Sequence, residues 1–473
     1  MNVHIVKTLR SDVSLILLLL LCSAGNADAV PSFARQTGQE CPACHVSWPE
    51  LTPYGRFFKA TGYTIGRAFW STEKGDPYAP VAVMAQASIS HLNNNTAIDP
   101  ATGDTTTVMQ RQNGIVFSGA SLFVATKIND YVGVFYQWTY NNLATTADGT
   151  LGGHSNIDNT DIRAAYKYAP VNAEIPEWIV GMTVNNNPTL SDLWNSTPAW
   201  GFPFATSPLA PKPAAGTIID GRLAQQVAGL GAYAFWKKSV YFEFADYRTA
   251  NVFYNALRRG LPYDEPGGVF AITNWNPYWR VAYAQDWGAN SIMVGTYGLV
   301  ANVYPDNTNT TTPTDRYNDI AIDAQYQYIT DVHTVTAQAT YIWEKQSYNA
   351  SYPITQQTGS GFGAGPTPAN PTDRLHTFKV KGSYYYERIY GATLGYFQTT
   401  GSTDAGLYGS SPNGSPNSNG YIVELDWLPI QNVRLLLQYT GYGKFNGARS
   451  NYDGTGRNAS DNNTLFFDVW VAF

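Results

Sequence analysis

From about residue 78 to the C-terminus, short stretches of alternating apolar and polar residues recur, and this pattern restricts the fold more tightly than any other feature of the chain. Val81, Val83, Ala85, Ala87 and Ile89 share one parity, with Met84, Gln86, Ser88 and Ser90 on the other. Val132, Val134, Tyr136, Trp138 and Tyr140 likewise oppose Gln137, Thr139 and Asn141. A period of two marks a β-strand with one apolar face. A soluble β-sandwich alternates in the same way, so the connections decide. Short ones fall near Asn129-Asp130, Lys237-Lys238, Gly288-Ala289-Asn290, Thr330-Asp331, Arg388 and Pro429-Ile430-Gln431. Long ones, rich in Asn, Thr, Gly and Pro, fall near 93–112, 186–224, 249–272, 345–373 and 401–418. Short turns at one end and long loops at the other point to an all-β fold: an antiparallel transmembrane β-barrel of about sixteen strands over residues 78–473.

Composition agrees with a barrel. Charged residues make up only 14%, while aromatics also reach 14%, with 33 Tyr and 13 Trp. Apolar surface is therefore spread thinly along strands. Beyond the N-terminus no apolar run approaches the roughly 20 residues that a membrane helix requires. The formal net charge of −6 speaks against a nucleic-acid partner. Parity also sorts the charges. Asp161, Arg163, Lys167, Glu243, Arg280 and Asp323 are expected to face the lumen, as are Lys379, Lys381, Glu424, Asp426, Arg434 and Asp468. A charge facing lipid near mid-membrane costs about 2–4 kcal/mol. Within the lumen most of them are expected to be solvated and to pair with one another. The chain ends on Leu465, Phe467, Val469, Val471 and Phe473, alternating with Thr464, Asp468 and Ala472. A last strand closing on Phe is typical of proteins of the bacterial outer membrane. An even strand count puts both ends of the barrel on the periplasmic side.

Residues 1–29 read as a signal peptide. Lys7 and Arg10 precede an apolar run from Val13 to Leu21, and Ala27-Asp28-Ala29 forms an A-x-A cleavage site. Leu21 is a poor neighbour for a lipidated Cys22, so export with cleavage after Ala29 is expected. The mature chain then has two cysteines, in Cys41-Pro42-Ala43-Cys44-His45, the C-x-x-C-H spacing of covalent haem c attachment. Each thiol adds to one porphyrin vinyl group, and the following histidine becomes the proximal iron ligand. A redox dithiol or a structural disulfide uses the same cysteines, but the first expects a strand–helix scaffold that is not readable here. Residues 30–77 are thus a monohaem cytochrome segment, plugging the lumen or the periplasmic mouth. Between His45 and Met84 there is no Met and no other His. The distal position falls to Met84 (inward by parity and low on the first strand), to His91, to a more distant residue, to a weak ligand such as Lys59, or to water. Met84 is preferred as a ligand, with simple lumen packing as its alternative. His91 shares the lipid-facing parity, His154 is expected in a long outer loop, and His333 and His376 at interfacial strand ends. Arg35 offers a planar fork to a haem propionate, with a solvated lumen position or pairing to Glu40 or Glu50 as alternatives.

The stretch Pro31-Ser32-Phe33-Ala34-Arg35-Gln36-Thr37-Gly38, the haem motif, then Pro49-Glu50-Leu51-Thr52-Pro53-Tyr54-Gly55-Arg56-Phe57-Phe58-Lys59 and Gly62-Tyr63-Thr64 resembles the cytochrome–porin fusions of iron-oxidising bacteria. The likeness is close over residues 31–64. It implies an outer-membrane protein with a monohaem cytochrome ahead of a porin-like barrel. Extracellular Fe(II) would be the electron donor and a periplasmic cytochrome or other soluble carrier the acceptor. Cys41 and Cys44 would be the thioether cysteines and His45 the proximal ligand. Other expectations for the same architecture are exchange with a different extracellular donor or acceptor, and a diffusion porin with a haem plug. No iron-capture cluster is visible; Asp264 with Glu265 is a lone acid pair in an outer loop.

Overall fold

Seventeen strands hydrogen-bond into one sheet. One of them, the two-residue Ala271–Ile272, only flanks Asn290–Tyr304. The other sixteen, all antiparallel to their neighbours, close into a barrel. The computed structural model describes residues 31–72, 77–145, 151–171, 175–200, 203–259, 270–363, 365–409 and 411–473. The expected signal peptide and the Asp264-Glu265 pair lie outside these residues. Closure joins the first barrel strand, Val81–Leu92, to the last, Thr464–Ala472, with Met84 opposite Ala472 and Leu92 opposite Thr464. An antiparallel seam between first and last strands requires an even count, as the sequence pattern implied. Phe473 extends the seam, exchanging backbone hydrogen bonds with Val83 at 2.8 and 2.7 Å.

The alternation maps onto the two faces of this wall. Val83, Ile162, Val180, Phe244, Ile320 and Leu394 are exposed on the outside. Tyr131, Tyr166, Trp178, Trp236, Tyr384 and Tyr390 ring the short-turn end in the same exposed setting. An apolar outer band bounded by aromatic residues belongs in a bilayer, where only a closed sheet leaves no unpaired strand edge. The charges assigned inward by parity do face inward, and most are paired. Arg163 meets Asp161 at 2.7 Å, and Arg434 meets Glu424 and Asp426 at 2.8 Å each. Arg280 lies 2.9 Å from Asp323 and 3.1 Å from Asp192.

His154 departs from expectation. It lies in the strand Leu151–Tyr168, opposite Asn141 of Val132–Thr145, and not in a loop. These two strands run on into polar sequence, with register shifts between Tyr136 and Trp138 and between Asn141 and Ala144. Polar residues there read as loop although the backbone remains paired.

Sixteen strands enclose enough room for an aqueous channel, yet two pieces of chain occupy it. From the short-turn end comes the N-terminal segment, with helices α1 (Ser32–Thr37), α2 (Cys41–Cys44) and α3 (Pro53–Ala60). From the long-loop side, residues 186–200 and 203–226 fold inward, with Leu190, Leu193 and Trp194 almost completely buried.

Candidate functional site

The Cys41-to-His45 turn is held by local capping. Thr52 caps α3, its hydroxyl accepting from the Gly55 N–H at 3.2 Å while donating to the Ala43 carbonyl at 2.6 Å. Pro53 at the first helical position suits a residue without an N–H. The Thr52 N–H donates to the Cys44 carbonyl at 2.9 Å, and His45 and Leu51 form an antiparallel bridge. The short α2 turn and the start of α3 are thus one folded unit. Gly55 is where they touch: a Cβ there would stand 2.3 Å from the Cys44 carbonyl oxygen.

This unit is fastened to the barrel wall on every side. Arg56 donates to Gln325 at 3.0 Å, Gln327 at 2.6 Å and Ser291 at 2.6 Å. Tyr63 donates to Asp161 at 2.7 Å, and Tyr233 of the wall to the Ala60 carbonyl at 2.9 Å. Glu50 meets Lys381 at 2.7 Å, both buried. Arg434 reaches the Trp48 carbonyl at 2.9 Å and Arg388 the Pro42 carbonyl at 2.8 Å. The inward loop joins in, since Lys59 donates to Leu190 at 2.8 Å, Asp192 at 2.6 Å and Asn195 at 3.2 Å.

Between plug and wall lies an apolar cavity, open to solvent on one side. Cys41, Cys44 and His45 line it on the plug side, with Phe33 and Phe58, whose rings meet edge-on at 4.9 Å. Asn195 and Trp200 reach it from the inward loop. The wall side comes from four adjacent strands around the seam: Thr464–Ala472, Val81–Leu92, Ile115–Lys127 and Val132–Thr145. Their lumen-facing residues at this end are Trp470 and Ala472, Ala82 and Met84, Phe123 and Ala125, and Phe135. Higher on the same faces the residues are polar again, Gln86, Ser121, Gln137 and Asp468 among them. The lumen lining is therefore apolar just where the cavity lies. A second, partly open cavity touches Cys41 and His45 between the turns bearing Arg388 and Pro429.

Both cysteines are free thiols, and burial raises the pKa of each, that of Cys44 to about 11. They are protonated at neutral pH, unlike the thiolate of a redox dithiol or metal site. Burial lowers the His45 pKa to about 4, so the ring is neutral, and its Nδ1 is buried without a hydrogen-bond partner. A neutral buried imidazole with an unused nitrogen, two thiols on the same cavity and apolar walls form a donor set that fits a covalently attached haem.

The remaining candidate residues divide by position. Met84 lines the cavity. Arg35 does not; its guanidinium is hydrogen-bonded to the carbonyls of Ala79 and Val81, where the first strand begins. Glu50 is bonded to Lys381 and not to Arg35. Lys59 borders the cavity with its ammonium hydrogen-bonded to the inward loop. His91 lies on the outside against Asn113 at 2.9 Å, and His333 against Tyr384 at 2.8 Å. Among the described residues no group of three or more His, Cys, Asp or Glu is placed to hold a metal ion.

No family model matches this chain, and no curated protein matches it by sequence. Similar solved structures include the outer membrane channel DcaP of Acinetobacter baumannii, 11% identical, with a TM-score of 0.44 over 83% of this chain and 96% of that one. An anion-selective porin from Comamonas acidovorans is 11% identical, with a TM-score of 0.43 over 83% and 98%. In vitro folded OmpT of Vibrio cholerae is 11% identical, with a TM-score of 0.41 over 83% and 96%. The closed sixteen-stranded wall with its apolar band makes this chain a porin-like outer-membrane β-barrel, an assignment that stands on its own geometry.

Proposed function

We propose that the chain is an outer-membrane electron-transfer protein, taking electrons from extracellular Fe(II) at a covalent c-type haem in its plug and passing them to a periplasmic acceptor. The observation that carries this reading is the placing of Cys41, Cys44 and His45 on one apolar cavity enclosed within a membrane barrel. Cys41 and Cys44 would form the thioether bonds, and His45 would be the proximal ligand in the neutral form that burial favours. Bound there, haem c would supply a one-electron redox centre. Phe33, Phe58, Phe123 and Phe135 keep water from that face of the plug. The second cavity, beside His45 between two short turns, lies on the side where a periplasmic partner would approach. Fe(II) as donor rests on the resemblance of residues 31–64 to the cytochrome–porins.

A diffusion porin with a vestigial plug needs an open lumen. The plug reaches wall residues as far apart along the barrel as Asp161, Gln325 and Arg434, which argues against a free path. The test is single-turnover mixing of oxidised holoprotein with Fe(II), followed at the haem absorption bands. Stoichiometric reduction is expected. Reduction by dithionite but not by Fe(II) would remove iron as donor and leave other donors to be ranked in the same assay. A pyridine haemochrome assay that finds no haem on the protein would remove the reading altogether.

A further inference from the structure

We propose that Met84 is the distal ligand of the haem iron, so that the group carried by the plug is bonded on its other side to the barrel wall. The inference rests on the haem reading above and deepens it. Glu40 borders the cavity but caps the Cys41–Cys44 helix beside the cysteines; away from that turn, three side chains with a good iron-ligating atom border it: Met84, Lys59 and Tyr63. Two of them are engaged. The Lys59 ammonium donates to three oxygens of the inward loop and lies 4.4 Å over the Trp200 ring. The Tyr63 hydroxyl donates to Asp161 at 2.7 Å, and the Asp161–Arg163 pair holds that carboxylate in place. Asn195 is spent as well, accepting from Lys59 and donating to the Pro49 carbonyl at 2.8 Å. No described histidine other than His45 lines the cavity, and Met109, Met182 and Met293 all lie elsewhere. The Met84 thioether remains, on a flexible side chain that adapts to what it packs against.

Its position gives the bond a structural consequence. Met84 stands opposite Ala472 at the seam where the first strand meets the last, and Ala82, Trp470 and Ala472 border the cavity with it. Ligation there ties the plug to the strand pair that closes the barrel. An iron held by His and Met is also expected at a higher potential than one held by His and water.

The experiment uses full-length holoprotein with haem content measured by pyridine haemochrome. The ferric wild type is expected to be six-coordinate and low-spin, with the weak long-wavelength band of a sulfur–iron bond. Met84→Leu, nearly isosteric and so spared a packing defect, should keep its haem, lose that band and shift to a lower midpoint potential. Met84→His should recover a low-spin spectrum without the band. Met182→Leu, on the lipid face, serves as the control and should leave the spectrum unchanged. A haem-bearing wild type without the sulfur signature, or a signature that survives Met84→Leu, overturns this inference and leaves the haem reading standing. A wild type without haem overturns both.

Discussion

Lys381→Met tests whether the plug is held shut by a buried charge pair. The Lys381 ammonium lies 2.7 Å from Glu50 Oε2 and 3.9 Å over the Phe204 ring, while Glu50 Oε1 is buried with no hydrogen-bond partner. The substitution therefore strands an anion in a dry site. Breaking a buried pair from one side costs about 3–5 kcal/mol, or roughly two to three and a half decades in the docking equilibrium. The cost falls on plug docking and not on the barrel, because Glu50 belongs to the plug and the strand pairing around Lys381 is backbone-made. Single barrels in planar bilayers provide the assay. Wild type should be closed, Lys381→Met should open in long bursts, and Lys381→Met with Glu50→Gln should close again. Glu50→Gln alone should be mild, because Lys381 keeps its aromatic contact. A single variant as silent as wild type at neutral pH, with normal β-content, would refute the argument. So would a wild type that conducts freely.

Three further changes probe other joints. Gly133→Ala places a Cβ 2.2 Å from the Gly62 carbonyl oxygen where plug meets wall; it should expose the plug to protease while the heat-resistant barrel band on gels persists. Gly55→Ala collides with the Cys44 carbonyl, and the yield of haem-bearing protein should fall several-fold with the barrel still assembled. Arg280→Met strands Asp192 and Asp323, both buried. At about 3–5 kcal/mol, it should release loop 186–226 to protease and raise conductance, with the midpoint potential as the readout that separates it from damage to the haem site.

Much of the barrel was legible because a side-chain period of two leaves little freedom: slipping by one residue would turn every lumen charge toward lipid. That is why parity placed Arg163, Arg280 and Arg434 correctly. The C-x-x-C-H spacing of Cys41 to His45 stands out in the sequence because the chemistry it would serve fixes the spacing. The inward loop was not. Asn186, Asn187, Asp192, Asn195 and Ser196 read like any outer loop, and its anchors, Lys59 and Arg280, are remote in sequence. One signal was available: Leu190, Leu193 and Trp194 form an apolar trio that an exposed loop would leave in water. For Arg35 the sequence left a haem propionate, solvation in the lumen and pairing with Glu40 or Glu50 open, and the structure adds backbone carbonyls of Ala79 and Val81 as acceptors.

The wall itself carries the least expected signal. In four neighbouring strands the alternation lapses at the short-turn end, into Val81-Ala82-Val83-Met84-Ala85, Leu122-Phe123-Val124-Ala125, Val132-Gly133-Val134-Phe135-Tyr136 and Val469-Trp470-Val471-Ala472-Phe473. A strand facing lipid on one side and water on the other gains nothing from apolar residues on both. Four such lapses, adjacent in the barrel and at one height, need something apolar on the lumen side to cover them. The plug covers part of the patch and leaves the cavity that Cys41, Cys44 and His45 share. A plug kept only to narrow a pore would meet a polar lumen with polar groups, as Arg56 does across the lumen and Tyr63 does at Asp161 on the adjoining strand. A flat apolar group attached to the two thiols, as proposed above, would cover the rest of the patch.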